Sequence, residues 1–308
     1  MDPPARGRKL RLRRAAADKE KEENMAITEP ITPARAPHHG AQETGARPPV
    51  LEATDAGIRR ITLDAPATLN LLTLEMMGAI EAALGRAGAD PDVRVVVIAA
   101  TGKAFCAGHD LKGMAARRTD PDGGRAAFTE TFDRCSQMML AIVDCPRPVI
   151  AEVHAVAAAA GCQMVAACDM AVAADTARFG TTGVSFGLFC STPAVPLSRV
   201  VERKAALEML FTGDLVDAAR AREIGLVNKV VPAAELTAAT TALAARIARQ
   251  SPLVLALGKR GFYEQAGMSL REAYHHASAV MVENLMTADG EEGIAAFIEK
   301  RPPEWTGR

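Results

Sequence analysis

The sequence predicts an α/β fold with crossover helices, followed by a helical C-terminal region. Three observations carry the prediction. Apolar or β-branched runs of strand length recur between Val50 and Val231, segments with helical apolar spacing alternate with them, and no strand-like run follows Pro232. With 308 residues, 49% of them hydrophobic, the chain can bury a large core, as one large domain or two modest ones.

In order along the chain, a strand is expected at 58–63, a helix at 73–87, and a β-branched strand at 93–99 that stops at Thr101-Gly102. A helix over 125–142 leads into a strand at 148–153, a small-residue helix at about 161–167 and a strand at 170–174. Helices at 204–211 and 217–224 precede a strand at 228–231, closed by Pro232. The segments 233–250, 252–265, 269–284 and 290–299 all suit helices. The expected organisation is a tail over 1–48, a β/α core over 49–232 and a helical subdomain over 233–308. No sequence repeat of about 20 to 50 residues is evident.

Residues 1–48 differ from the rest. Arg6, Arg8, Lys9, Arg11, Arg13 and Arg14 open the segment, Asp18 to Glu23 form a charged run, and Pro, Thr, His and Gly follow, so disorder is expected. Its Arg and Ala suit a targeting sequence, whereas Asp18, Glu20, Glu22 and Glu23 do not suit a transit peptide, and Met25 is an alternative start. A net charge of −1 gives no global field toward nucleic acid. Cys106, Cys135, Cys145, Cys162, Cys168 and Cys190 include no C-x-x-C pair, and several sit in apolar runs as reduced core thiols do; cytosol or an organelle matrix is expected. No histidine stands at zinc-ligand spacing, so no metal is expected. No apolar stretch reaches the ~18 residues that span a bilayer.

Two segments place a tight, small-residue turn where a strand meets a helix. In Gly102 to Lys112, Gly108 permits a backbone conformation that aims the next amide inward, and Asp110 can cap the turn after it. In His154 to Gln163, a run of side chains no larger than methyl lets a ligand approach a helix N-terminus, where unpaired N–H groups favour negative charge. Two such amides on one carbonyl oxygen would form an oxyanion hole that polarises a thioester and stabilises its enolate. Alanine-rich helix packing and an ordinary turn are the plainer reading of the same residues.

From about Leu51 to Trp305 the chain resembles the enoyl-CoA hydratase/isomerase (crotonase) superfamily. Residues 64–70 (D-A-P-A-T-L-N) resemble its early strand-end motif, Ala104 to Lys112 its first oxyanion motif, Pro148 to Asp169 its second, and 297–301 (F-I-E-K-R) its C-terminal end. The resemblance implies a spiral of ββα units with a helical trimerisation region, a homotrimer or dimer of trimers, and an acyl-CoA thioester as substrate or ligand with no other cofactor. It implies that the amides of His109 and Ala160 are the oxyanion donors and that Ala107, Gly108, Asp110, Leu111 and Gly161 line the thioester site. Lys112 is then placed to approach the CoA adenine or phosphates, and Lys259 to reach a CoA phosphate, in its own subunit or a neighbour's.

Hydratases of this family use two glutamates to add water across the α,β double bond. Aligned residue by residue, these fall on Gln163 and Gly183. Neither side chain exchanges a proton near neutral pH, and losing a general acid or base costs ~10²–10⁴-fold. The segments 159–163, 187–193 and 207–213 are particularly similar to one branch of the family that carries a hydratase name without the usual acid pair. Glu130, Asp133 or Glu152 as substitute acid, and Cys190 as substitute nucleophile, each have a plainer structural reading. The expectation is a hydratase-type lyase of fatty-acid or acyl-CoA metabolism with weak or atypical hydration. Its rivals are a non-catalytic acyl-CoA-binding or regulatory protein and an oxyanion-dependent decarboxylase of malonyl-type CoA esters. A dinucleotide enzyme is disfavoured because no G-x-G-x-x-G follows a first strand.

Overall fold

Val50–Asp55 (β1) and Ile58–Leu63 (β2) pair as an antiparallel hairpin at one edge of a six-stranded sheet. The computed structural model describes residues 48–308; the expected tail over 1–48, but for its last residue, lies outside the described residues. The chain continues through α1 (Leu74–Ala89), β3 (Val95–Ala100), β4 (Ala104–Cys106), α2 (Leu111–Arg117), α3 (Arg125–Asp144), β5 (Val149–Val153), β6 (Val156–Ala158), α4 (Ala160–Ala167), β7 (Met170–Ala174) and β8 (Arg178–Gly180). Then come α5 (Ser191–Val200), α6 (Arg203–Thr212), β9 (Val216–Asp217), α7 (Ala218–Glu223), β10 (Lys229–Val231), α8 (Leu236–Ala248), α9 (Pro252–Gln265), α10 (Leu270–Leu285) and α11 (Ala288–Glu299).

The large sheet has the order β1-β2-β3-β5-β7-β10 and is parallel from β2 onward. The smaller sheet, β4-β6-β8-β9, is parallel except for β9. Strand pairs β3 and β4, β5 and β6, and β7 and β8 therefore each give one strand to each sheet. This is the spiral of ββα units that the resemblance implied.

The large sheet is buried on both faces, which is why β3 (V-V-V-I-A-A) and β5 (V-I-A-E-V) read as continuous apolar runs. Alternate side chains go to opposite sides. Val96 and Ile98 join the main core with α1, α3 and α4, while Val95 and Val97 pack with Ile150, Val172, Leu236 and Ala244. Leu236 and Ala244 belong to α8, so this helix closes the second face of the sheet. The boundary expected at 232/233 thus falls inside the core packing, and the peripheral helices begin at α9.

Helix starts follow local chemistry. Side chains of Thr73, Asp217, Ser251, Ser269 and Thr287 each accept a first-turn N–H, and Ser269 with Glu272 forms a reciprocal capping box. The sequence reading missed β1, β4, β6, β8, β9, α2 and α5. The short strands and α2 offer too few residues for a period to show, and Pro193 and Pro196 mask the helix α5.

Candidate active site

The topology sets three strand ends side by side. Cys106 of β4 pairs with Ala157 of β6, and Ala158 of β6 pairs with Gly180 of β8. Each strand runs directly into a site segment: Ala107 to Asp110 after β4, Ala159 to Gln163 after β6, and Thr181 to Gly183 after β8. The Ala159 N–H donates to the Gly180 carbonyl at 2.8 Å and ties the second segment to the third.

The first segment turns at Gly108, whose φ of +95° suits a residue without Cβ. A Cβ there would stand 3.1 Å from Ala159 Cβ and 3.4 Å from the Ala160 nitrogen, so the two turns are in near contact. The Gly108 carbonyl accepts from the Leu72 N–H at 2.8 Å. Carbonyl and N–H point oppositely across a trans peptide, so the His109 N–H is directed away from Leu72. Ala160 is the first residue of α4, and the Ala159 carbonyl accepts from the Gln163 N–H at 3.0 Å; the Ala160 N–H therefore points out of the helix end. Neither amide has an acceptor among the described residues. Gly161 lets α4 begin directly on β4, since a Cβ there would meet the Cys106 carbonyl oxygen at 2.2 Å. Ala159 sits at φ 48°, ψ −116°, a strained pair for a residue with a side chain.

Around these amides the first segment is held from behind. Asn70, fully buried, donates to the carbonyls of Thr101 at 2.8 Å and Ala104 at 3.0 Å, and accepts from the Ala65 N–H at 2.9 Å. Ala107 donates to the Leu69 carbonyl. Asp110 caps α2 through the Gly113 N–H at 3.0 Å; Leu111 and Lys112 lie exposed on its first turn. Sequence reasoning noticed Asn70 only as part of a motif, although its φ of 54° is one that asparagine tolerates well.

The two positions onto which the resemblance maps the hydratase glutamates differ in kind. Gln163, 4% exposed, lies under α3, with its Oε1 at 3.9 Å from Cys135 Sγ. Burial pushes the Cys135 thiol up to about 11, so it stays protonated beside the amide. Gly183 is sterically committed: a Cβ would meet the Leu188 carbonyl oxygen at 2.4 Å and Cys190 Sγ at 2.7 Å. Its N–H donates to that sulfur at 3.3 Å. An acid at 183 is excluded by the backbone as it stands.

The His109 ring joins the same neighbourhood. Its Nδ1 lies 3.2 Å from the Leu72 carbonyl, and it meets Phe132 of α3 edge-on, with centroids 5.5 Å apart at 86°. Burial holds the imidazole below its usual value, against the opposing pull of the Leu72 carbonyl.

Lys259 corrects one expectation. Its side chain is 8% exposed and its ammonium pairs with Asp169 at 2.8 Å while donating to the carbonyls of Ile142 and Arg147. Asp169 also accepts from the Val149 N–H and the Tyr263 hydroxyl. All the donors of Lys259 are committed to seating α9 on the core rather than presented to a phosphate. Of the substitute acids, Glu152 is paired with Arg60 and Thr237 on the α8 side of the sheet, and Glu130 and Asp133 are exposed on α3. All six cysteines are buried free thiols; burial pushes Cys106 and Cys162 up to about 12 and raises Cys190. Among the described residues no group of three or more His, Cys, Asp or Glu is placed to hold a metal, and no helix is long and apolar enough to cross a membrane. A cavity of about 420 Å³ between α9, α10 and α11 is lined mainly by apolar residues such as Val254, Ile294 and Phe297 and lies away from the strand ends.

The enoyl-CoA hydratase/isomerase family profile matches residues 53–308. The enoyl-CoA hydratase domain-containing protein 3, mitochondrial, of Xenopus laevis is 48% identical over 250 residues, covering 81% of this chain and 83% of that protein. The crystal structure of an enoyl-CoA hydratase from Mycobacterium smegmatis matches with a TM-score of 0.80 at 46% identity, covering 84% of this chain and 99% of the other. The crystal structure of human enoyl coenzyme A hydratase domain-containing protein 3 matches with a TM-score of 0.79 at 46% identity, covering 83% and 100%. With the family profile matching residues 53–308 and relatives of this similarity over most of its length, the chain belongs to the enoyl-CoA hydratase/isomerase (crotonase) family, in the branch of domain-containing protein 3.

Proposed function

We propose that this chain binds an acyl-CoA thioester with the carbonyl oxygen between the N–H groups of His109 and Ala160, and that it hydrates enoyl-CoA weakly or not at all. The observation that carries the reading is the pair of unpaired amides at the ends of two adjacent strands, in near contact through Gly108 and Ala159. Such donors favour the developing enolate over the ground-state carbonyl, which is the condition for catalysis rather than mere binding. Lys112, exposed beside the first turn, is the cation offered to the CoA phosphates. Ordinary hydration lacks its acid and base, because Gln163 is neutral and Gly183 has no room for a side chain.

The steric closure at Gly183 favours a second reading, an acyl-CoA-binding protein without turnover. Decarboxylation of a malonyl-type CoA ester also needs little beyond the two amides, and CO₂ release would identify it. The unburied apolar side chains Met281, Val282 and Leu285 on α10 support assembly into a homotrimer or dimer of trimers. Six free thiols suit a reducing compartment, and several relatives carry "mitochondrial" in their names.

Carbonyl recognition is tested by comparing the affinity of butyryl-CoA with that of the matching CoA thioether, which lacks the carbonyl oxygen. Two amide hydrogen bonds predict about 10-fold tighter binding of the thioester. Equal affinities would remove the oxyanion reading.

A further inference from the structure

We infer that the imidazole of His109, through its Nε2 lone pair, accepts a proton from the carbon next to the thioester carbonyl, the task for which Gln163 and Gly183 provide no group. The inference rests on the reading that the thioester carbonyl lies at the His109 and Ala160 amides.

The ring's neighbours set its protonation pattern. Nδ1 faces the Leu72 carbonyl at 3.2 Å, and a carbonyl only accepts, so Nδ1 carries the hydrogen. In the neutral ring Nε2 is then a bare acceptor. It is shut off from bulk solvent and meets no donor among the described residues. A buried acceptor without a partner is uncommon and costs stability unless a ligand or reaction uses it. Burial also disfavours the charged ring, which keeps Nε2 unprotonated at neutral pH.

The position suits the task. The His109 amide and ring belong to one residue, and in the proposed arrangement the carbon next to a carbonyl held by that amide lies within reach of Nε2, on the side of the ring away from Leu72. Phe132, itself 37% exposed, packs edge-on against the imidazole and is its cover on the α3 side. One turn further along α3, Cys135 touches Gln163, where the hydratases hold their first acid. Titratable groups on the packed elements leave the ring without a charged partner. Cys106 and Cys135 are kept as thiols by burial, Asp110 is engaged in capping α2, and Glu75, Lys112, Glu130 and Asp133 are exposed.

The step balances within the site. The C–H bond beside the carbonyl breaks, its electrons form the enolate carbon–carbon double bond, the charge moves to the oxygen between the two amides, and Nε2 gains the proton as imidazolium. Reversal returns a proton to carbon, so in D₂O the substrate acquires deuterium.

The experiment incubates the full chain with butyryl-CoA in D₂O and follows deuterium at the carbon beside the carbonyl by NMR, for wild type and His109→Asn. Asparagine can keep a donor toward the Leu72 carbonyl but has no basic nitrogen, so it separates proton transfer from positioning. The expected result is exchange by wild type, with His109→Asn binding butyryl-CoA within about 3-fold of wild type while exchange falls ~10²–10³-fold. Wild-type exchange falls as the ring protonates, at a pH below the usual imidazole value of about 6.5. Residual exchange by the variant lacks that limb. If His109→Asn does not fold, His109→Gln, also without a basic nitrogen, takes its place. Exchange by the variant at the wild-type rate overturns the proposal, as does wild type that binds butyryl-CoA without exchanging; in the latter case the thioester reading stands. Absence of butyryl-CoA binding by wild type overturns both.

Discussion

Ala159 holds a conformation that glycine holds without strain, and it does so at the hinge of the site. Its φ of 48° and ψ of −116° store on the order of 1–3 kcal/mol. Ala159→Gly is expected to raise stability by about 1 kcal/mol, or the melting temperature by about 2–4 °C, in a thermal melt. A lowered melting temperature would show that the alanine methyl makes compensating contacts. Gly183 is the converse case. Even Gly183→Ala must displace both the Leu188 carbonyl and the Cys190 sulfur, and a loss of about 1–3 kcal/mol is expected in denaturant unfolding; an unchanged midpoint would refute the steric clash. At this scale the sequence was informative where chain neighbours decide the outcome. The small-residue turns at Gly108 and Ala160 and the cap at Asp110 could be read from the residues themselves, whereas the significance of 163 and 183 came only from the family resemblance. Lys259 could not, because its fate depends on Asp169, Ile142 and Arg147, which only the fold brings to it.

Two interactions fasten elements to one another. Lys259 and Asp169 join α9 to the sheet, and Lys259→Met is expected to cost about 3 kcal/mol by leaving a part-buried carboxylate short of a partner. Measured in the folded variant, acyl-CoA affinity should hold within a factor of about 2. A large loss of affinity with unchanged stability would restore a ligand-binding role for Lys259. At the C-terminus, Asp289 of α11 accepts from Ser251 Oγ at 2.5 Å, from the Thr306 N–H and hydroxyl, and from the Gly307 N–H. Burial disfavours its charge, but these hydrogen bonds outweigh burial and hold the carboxyl below the usual carboxylate range. Its stabilisation is therefore present above the unfolded value of about 4 and lost as pH falls through the lower folded value. The melting temperature of wild type should fall more steeply below about pH 4 than that of Asp289→Asn; parallel slopes would contradict the linkage. Long elements were legible because burial of one helix face or both strand faces imposes a period over many residues. The strands β4, β6 and β8, three residues each, leave no such trace, yet they align the site.

Over the whole molecule, the strand ends meet because each unit of the spiral gives one strand to each sheet. This repeat is one of geometry, carried by different residues in each turn, and it stayed invisible to a search for sequence periodicity. The C-terminal helices pose the opposite problem, since their apolar spacing was plain but not what it packs against. No residue of α10 is buried within the described chain. Sedimentation is expected to give three or six chains per particle, and Val282→Lys, at an exposed apolar position of α10, to shift the particle toward single chains. Single chains in the wild-type protein would contradict the assembly.

The most direct test of the central claim tracks the absorbance band of the conjugated thioester of crotonyl-CoA mixed with excess protein. The band is expected to shift to longer wavelength at once, as two amides polarise the carbonyl, and then to persist, because no acid–base pair adds water. Decay of the band at ordinary enzyme rates of ~1–10³ s⁻¹, or no shift at all, would contradict the claim.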